Sequence, residues 1–229
     1  MTETPRRRVP RAEREAQMRA VAEEIFAERG FVAASMDEIA ERCGISKPML
    51  YEYFGSKEGL LVACIRAARA DLAATTTAAV VGAAGPEDAL RRGLVAFFRF
   101  TDARRRSWSL VLRNEAAVAG PAATAEVEAG RQQQVEIDIA LFSAFLPHAP
   151  RLDLEAAAQV VVGACERLSL WYVGRDDVTA EQAADHLMRV LWTGLRSMLD
   201  PGPDDTVDGT VDSPTWTPVD RGIDAPTSG

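Results

Sequence analysis

An all-α protein is what this sequence predicts, built as an N-terminal three-helix unit and a larger helical body. Three observations carry the prediction. Apolar residues recur at three- and four-residue spacing in successive blocks. Alternating β-branched runs closed by two-residue turns are absent. Glycine and proline punctuate the blocks at helical lengths. About nine helices are expected.

The elements follow in order. Residues 1–10 carry Arg6, Arg7 and Arg8 and read as a basic arm, either merely solvated or following a DNA groove. Met18, Val21, Ala22, Ile25 and Phe26 form a first apolar stripe, and Gly30 ends it. Ser35 with Glu38 three residues on predicts a capping box. Met36, Ile39 and Ala40 give that second helix its apolar face, and Cys43-Gly44 closes it with a left-handed turn. Ser46 caps a third helix whose first turn holds Lys47 and Pro48. Within it Leu50 and Phe54 face inward, while Lys47, Met49, Tyr51 and Tyr53 have routes outward.

A longer helix is expected from Lys57 to about Val81. Gly85-Pro86 then punctuates the chain, and Leu90, Leu94, Phe97, Phe98 and Thr101 share the next face. Further helices are expected over about Trp108–Ala119, Thr124–Leu146, Leu154–Tyr172 and Thr179–Leu199, the last with Thr179 as N-cap. Residues 200–229 hold five prolines, four glycines and seven aspartates against one arginine, and read as a disordered acidic tail. The domain boundaries expected are therefore 1–10, 11–60, 61–199 and 200–229.

Two short helices across a glycine turn form a helix-turn-helix, whose second helix suits a major groove. The residues of this stretch resemble the DNA-binding domain of the TetR family of bacterial transcription regulators. Phe26, Gly30, Ser35, Ile39, Ala40, Gly44, Ser46 and Leu50 carry the likeness. So does the run Y-x-Y-F-x-S-K-E-x-L from Tyr51 to Leu60, its most specific part. The close match covers about residues 16–65. The resemblance implies that Tyr51 and Lys57 bind phosphate beside the recognition helix, with Ser35 offering a hydroxyl at a helix N-terminus. It implies that Ser46, Lys47, Pro48, Met49 and Tyr53 lie at or near the bases. Met36 stands where a smaller β-branched residue is common, and is either core or a groove contact. Each has a plainer alternative: Tyr51 and Tyr53 as surface aromatics, and Lys57 as an ion-pair partner of Glu58 or Glu52.

The resemblance further implies an effector-responsive regulator, most often a repressor, that binds a palindromic double-stranded operator as a homodimer. The last two helices would form the dimer interface, and the helix from Lys57 would link the DNA-binding and sensing halves. Aromatic and apolar residues clustered on the body helices are candidates for a pocket: Phe97, Phe98, Phe100, Trp108, Leu112, Phe142, Phe145, Leu168, Trp171 and Tyr172. Arg113, Glu115, Gln134 and Glu166 are polar candidates near them. Such a pocket would favour a small hydrophobic or amphipathic effector.

Charge and motifs bound the alternatives. Net charge is −8, with +1 over residues 1–70 and −9 over the rest, so any DNA contact is a local patch on an acidic protein. That argues against a nonspecific architectural DNA binder. No P-loop, GxGxxG, HExxH or GxSxG motif is present, so catalysis is not expected. Three scattered cysteines and two histidines suggest neither a disulfide framework nor a metal site, and no cofactor is expected. No run is long and apolar enough for a membrane span, and a cytoplasmic location is expected. A helix-turn-helix protein controlled by a protein partner, or an activator, remains open beside the ligand-responsive repressor.

Overall fold

The first helix is amphipathic and long, and its apolar stripe decides where it goes. In the computed structural model, which describes residues 10–105, 108 and 118–199, α1 spans Arg11–Ala33. It buries Met18, Ala22, Ile25 and Phe26. Regular helix breaks at Gly30, where φ is +75°, and a short turn continues through Phe31. The glycine therefore kinks the element at the position expected from the sequence rather than ending it outright.

The two helices of the motif are α2 (Met36–Arg42) and α3 (Lys47–Phe54). Between them Gly44 takes φ +65°, and the Ile45 N–H donates to the Ala40 carbonyl at 3.0 Å. Ile39 and Leu50 are fully buried, so the two helices pack through the residues the periodicity marked. With α1 and the first half of α4 (Lys57–Val80) they enclose one hydrophobic core. Ser56 caps α4, its hydroxyl accepting from the Gly59 N–H at 2.9 Å.

The second core belongs to the body. It is built from the end of α4, α5 (Pro86–Ala103), α6 (Pro121–Phe145), α7 (Arg151–Tyr172) and α8 (Ala180–Leu199). Residues of α4 through Ala68 lie in the first core, and Leu72 begins the second. The division between units thus falls inside α4, several residues beyond the expected 60/61 boundary, because one uninterrupted helix serves both cores. Within it, Phe97, Phe98, Phe100, Trp108 and Tyr172 make edge-to-face ring contacts at centroid separations of 5.1–6.0 Å.

Eight helices stand among the described residues. The ninth expected helix, about Trp108–Ala119, lies largely outside them, as do the arm 1–9 and the tail 200–229. Two helix starts differ from expectation. Helix α6 begins at Pro121 rather than near Thr124, and α7 at Arg151 directly after Pro150 rather than at Leu154. In the first case a proline taken as a stop is the start of the next helix, since its fixed φ suits a first turn. Thr179 and Gln182 form a reciprocal capping box on α8, with bonds of 3.2 and 2.8 Å.

Candidate functional site

The exposed surface of the motif is set by how α2 starts. The Ser35 hydroxyl accepts from the Asp37 N–H at 3.2 Å, which leaves its own proton free to donate. Glu38 does not close the expected capping box. Its carboxylate is held by Arg29 at 2.8 Å and Arg42 at 3.2 Å, which tie α2 back to α1 and within itself. Met36 is buried in the core, so it takes the packing alternative and does not reach a groove.

Helix α3 presents Ser46, Lys47, Pro48 and Tyr51 to solvent, while Met49 and Tyr53 are half-buried against the first core. Ser46 has the extended backbone of an N-cap, yet its hydroxyl makes no capping bond. Lys47 pairs with Asp37 at 2.8 Å, and that hydrogen bond and charge hold the ammonium above its ordinary pKa. Arg11 lies over the Tyr53 ring at 4.8 Å, which brings the start of α1 beside the recognition helix. Lys57 is placed differently from expectation. Its Nζ donates to the carbonyls of Phe31 at 2.8 Å, Val32 at 3.2 Å and Ala34 at 3.0 Å, and sits 4.5 Å from the Phe31 ring centroid. An ammonium has three protons, and all three are spent. In the free protein Lys57 therefore clamps the end of α1, and Glu58 and Glu52 are not its partners.

The body holds a cavity of about 390 Å³ between α4, α5, α6 and α7. Of the pocket residues expected from the sequence, Phe97 and Phe142 line it, as do the polar candidates Gln134 and Glu166. The rest do not. Phe98, Trp108 and Tyr172 are ordinary core, fully buried in the ring cluster, with the Trp108 indole N–H donating to Ser169 Oγ at 3.0 Å. Leu168 packs against the same core, and Trp171 is exposed under Arg175. Phe145 borders a separate small void beside Trp192 and Leu195. Leu112, Arg113 and Glu115 lie outside the described residues.

Sequence reasoning missed Arg69 and Asp138, which also line the cavity. Arg69 is buried and pairs with Glu166 at 3.0 Å, and Glu166 also pairs with Arg131 at 2.9 Å. Asp138 accepts from the Gln134 amide at 2.9 Å, and burial pushes its carboxyl up to about 6. Little in the sequence marks them, since Arg69 stands between Arg66 and Asp71, and Asp138 follows Glu136 by two residues.

Comparison with known proteins decides the family. The family model for bacterial regulatory proteins of the tetR family matches residues 19–64, and that for a tetracyclin repressor-like C-terminal domain matches residues 86–194. A TetR-like transcriptional regulator from Rhodococcus sp. RHA1 is 35% identical, with a TM-score of 0.64, over 82% of this chain and 99% of that one. The chain belongs to the TetR family. It is a helix-turn-helix transcription regulator. Among other relatives, the HTH-type transcriptional activator FasR of Mycolicibacterium smegmatis is 29% identical over 82% of this chain and 85% of its own. A tetR-family regulator from Streptomyces coelicolor is 25% identical, with a TM-score of 0.66, over 86% of this chain and 93% of that one.

In this TetR-family chain the two functional regions are tied at three points. At the first, the Glu58 carboxylate accepts from the Ala122 N–H at 2.9 Å, so the start of α6 is docked on the DNA-binding unit by a charge at a helix N-terminus. Ala123 is accordingly part of the first core. Arg66 of α4 holds Glu126 of α6 with two bonds, at 3.1 and 2.6 Å. Arg69 passes close by Gly130, where a Cβ would lie 3.0 Å from its Cγ, and reaches Glu166 on α7. No described helix is long and apolar enough to cross a membrane.

Proposed function

We propose that this TetR-family regulator binds an inverted-repeat duplex as a homodimer and changes its grip when a small apolar or amphipathic effector fills the body cavity. The observation that carries the reading is the placement of α4. Leu60, Leu61 and Ile65 of that helix are buried against the DNA-binding motif, and Leu72, Thr76, Thr77 and Val80 line the cavity. An effector that favours one tilt of α4 therefore biases the recognition helix, and only by its differential affinity for the two states. In this reading Ser46, Lys47, Pro48 and Tyr51 meet DNA directly, Met49 and Tyr53 shape the contact, and the Ser35 hydroxyl donates to a phosphate.

Dimerisation is supported by an uncovered face on α7 and α8. Val160 and Val190 are 59% and 74% exposed, and a Cβ at Gly163 would meet nothing. These residues share helical faces with Ala156 and Thr193, which leaves flat ground for a second copy. The exposed ring of Trp171 lies at one end of the same α7 face.

The test starts from duplexes selected out of a random pool by the purified protein. An inverted repeat with half-sites about 34–36 Å apart, bound by two protomers, is the expected result. Leu94→Trp, which fills the cavity, should leave protein folded while abolishing any effector-induced change in DNA affinity. Selection of a single half-site bound by one protomer would refute the dimeric reading. The likeness to a relative named as an activator supports a second reading, in which DNA binding switches a promoter on. A reporter carrying the selected duplex upstream or across the start site separates it from repression.

A further inference from the structure

The effector cavity is apolar apart from one end, and that end is electrostatically unbalanced. Helix α5 gives it Ala89, Leu90, Gly93, Leu94 and Phe97, which carry no charge. Helix α4 gives Leu72, Thr76, Thr77, Val80 and a single guanidinium, Arg69. Helix α7 gives Glu166 and the Cys165 thiol, and α6 gives Gln134 and Asp138. Arg69 spends one donor on Glu166. That bond is made by its Nη2, its stem passes beside Gly130, and its buried Nε has no hydrogen-bond partner.

Asp138 is thus left facing an apolar cavity with a neutral amide, Gln134, as its hydrogen-bond partner. No cation lies near enough to pull its carboxyl down, and burial alone pushes it up. Its charge is felt instead by Cys165, another lining residue, whose thiol burial and Asp138 together push upward. A carboxylate that is desolvated and unpaired is costly, and a cation delivered by a ligand removes that cost.

We propose that the cavity takes an effector made of an apolar chain or ring system bearing one protonated amine, with Asp138 as the counter-ion and Gln134 orienting the carboxylate. This rests on the cavity being the effector site, and it assigns the chemical class. The apolar walls from Leu72, Leu94 and Val162 hold the hydrocarbon, and the aromatic residues Phe97 and Phe142 flank the same space. A carboxylate headgroup seated against Asp138 would instead meet like charge.

Three isosteric probes test this by calorimetry on the full-length protein: decylamine, decanol and decanoate, each below its micelle concentration. Decylamine should bind at least about tenfold tighter than decanol, the worth of a charge-assisted bond out of water. Asp138→Asn should erase that preference, and binding of decanol by the variant shows that it is folded. Decylamine affinity should fall as pH drops through about 6, where the Asp138 carboxyl takes up its proton, and decanol affinity should not. Leu94→Trp should exclude all three probes. If decanol binds wild type and is excluded by Leu94→Trp, but decylamine binds no tighter, the amine class is overturned and the cavity reading stands. Tightest binding by decanoate, or an amine preference that survives Asp138→Asn, overturns it equally. Binding by none of the three overturns the class and the cavity reading together.

Discussion

Replacing Lys57 by methionine keeps the aliphatic stem and removes the ammonium. The clamp on α1 then loses three bonds, of which those to Phe31 and Ala34 are partly buried. A hydrogen bond to a charged group contributes about 1.5–3 kcal/mol net, and solvent can replace part of each here, so the loss is about 2–4 kcal/mol. For a chain of this size that lowers the melting temperature by roughly 5–15 °C. The cation over the Phe31 ring goes too. Calorimetry gives the melting shift, and titration of a selected duplex at several salt concentrations gives the number of phosphates neutralised. The expected result is a large fall in melting temperature with an unchanged salt slope among folded molecules. Arginine should not rescue it, because a planar fork cannot replace a tetrahedral ammonium among three carbonyls. An unchanged melting temperature with a slope reduced by about one would show that Lys57 binds phosphate, and would refute the clamp.

Other outcomes follow from the same contacts. Asp37→Asn should free Lys47 and remove a negative charge from the DNA face, so affinity for nonspecific duplex should rise several-fold in an anisotropy titration. Unchanged binding would mean that the pair re-forms with another acid. Gly120→Val should be destabilising, since φ there is +140° and a Cβ would lie 2.4 Å from Glu58 Oε1. It should also uncouple effector from DNA by lifting the start of α6, which a matched loss of both melting temperature and effector response would show. Asp138 should make the free protein more stable in mild acid. Its folded pKa of about 6 exceeds the unfolded 3.8, so folding takes up a proton between those values and stability falls as pH rises through that window. Asp138→Asn should therefore stabilise at pH 8 by about 1–3 kcal/mol and by little at pH 4, read from urea melts. A difference independent of pH would refute the assignment.

The helices were legible because spacing and caps are local. Ser35, Thr179 and Gly44 do in the structure what their residue types favour, and Leu50, Phe26 and Leu94 are buried where the stripes place them. The failures share a cause, which is that sequence shows what a side chain is but not what reaches it. Glu38 stands at the right distance for a capping box, but two arginines on neighbouring turns compete for it. Lys57 carries a family motif, yet the end of α1, more than twenty residues earlier, supplies its partners. Aromatic clustering marks the body helices, but core and cavity share the same helical spacing. Phe97 and Phe142 reach the cavity, while Phe98, Trp108 and Tyr172 interlock with one another. The charges that line it, Arg69 and Asp138, have charged neighbours in the chain, Arg66 and Asp71 for one and Glu136 for the other, so the sequence does not set them apart.

The unbroken run of α4 has a mechanical consequence. Its 24 residues extend about 36 Å, so pivoting it by about 5° at the cavity end displaces the DNA end by roughly 3 Å. Two protomers swinging in opposite senses would double that, a mismatch approaching a fifth of one turn of the duplex. On the proposed function, a rearrangement of a few side chains around a small molecule would thereby be amplified to the scale on which a double helix is gripped or dropped, without either hydrophobic core having to come apart.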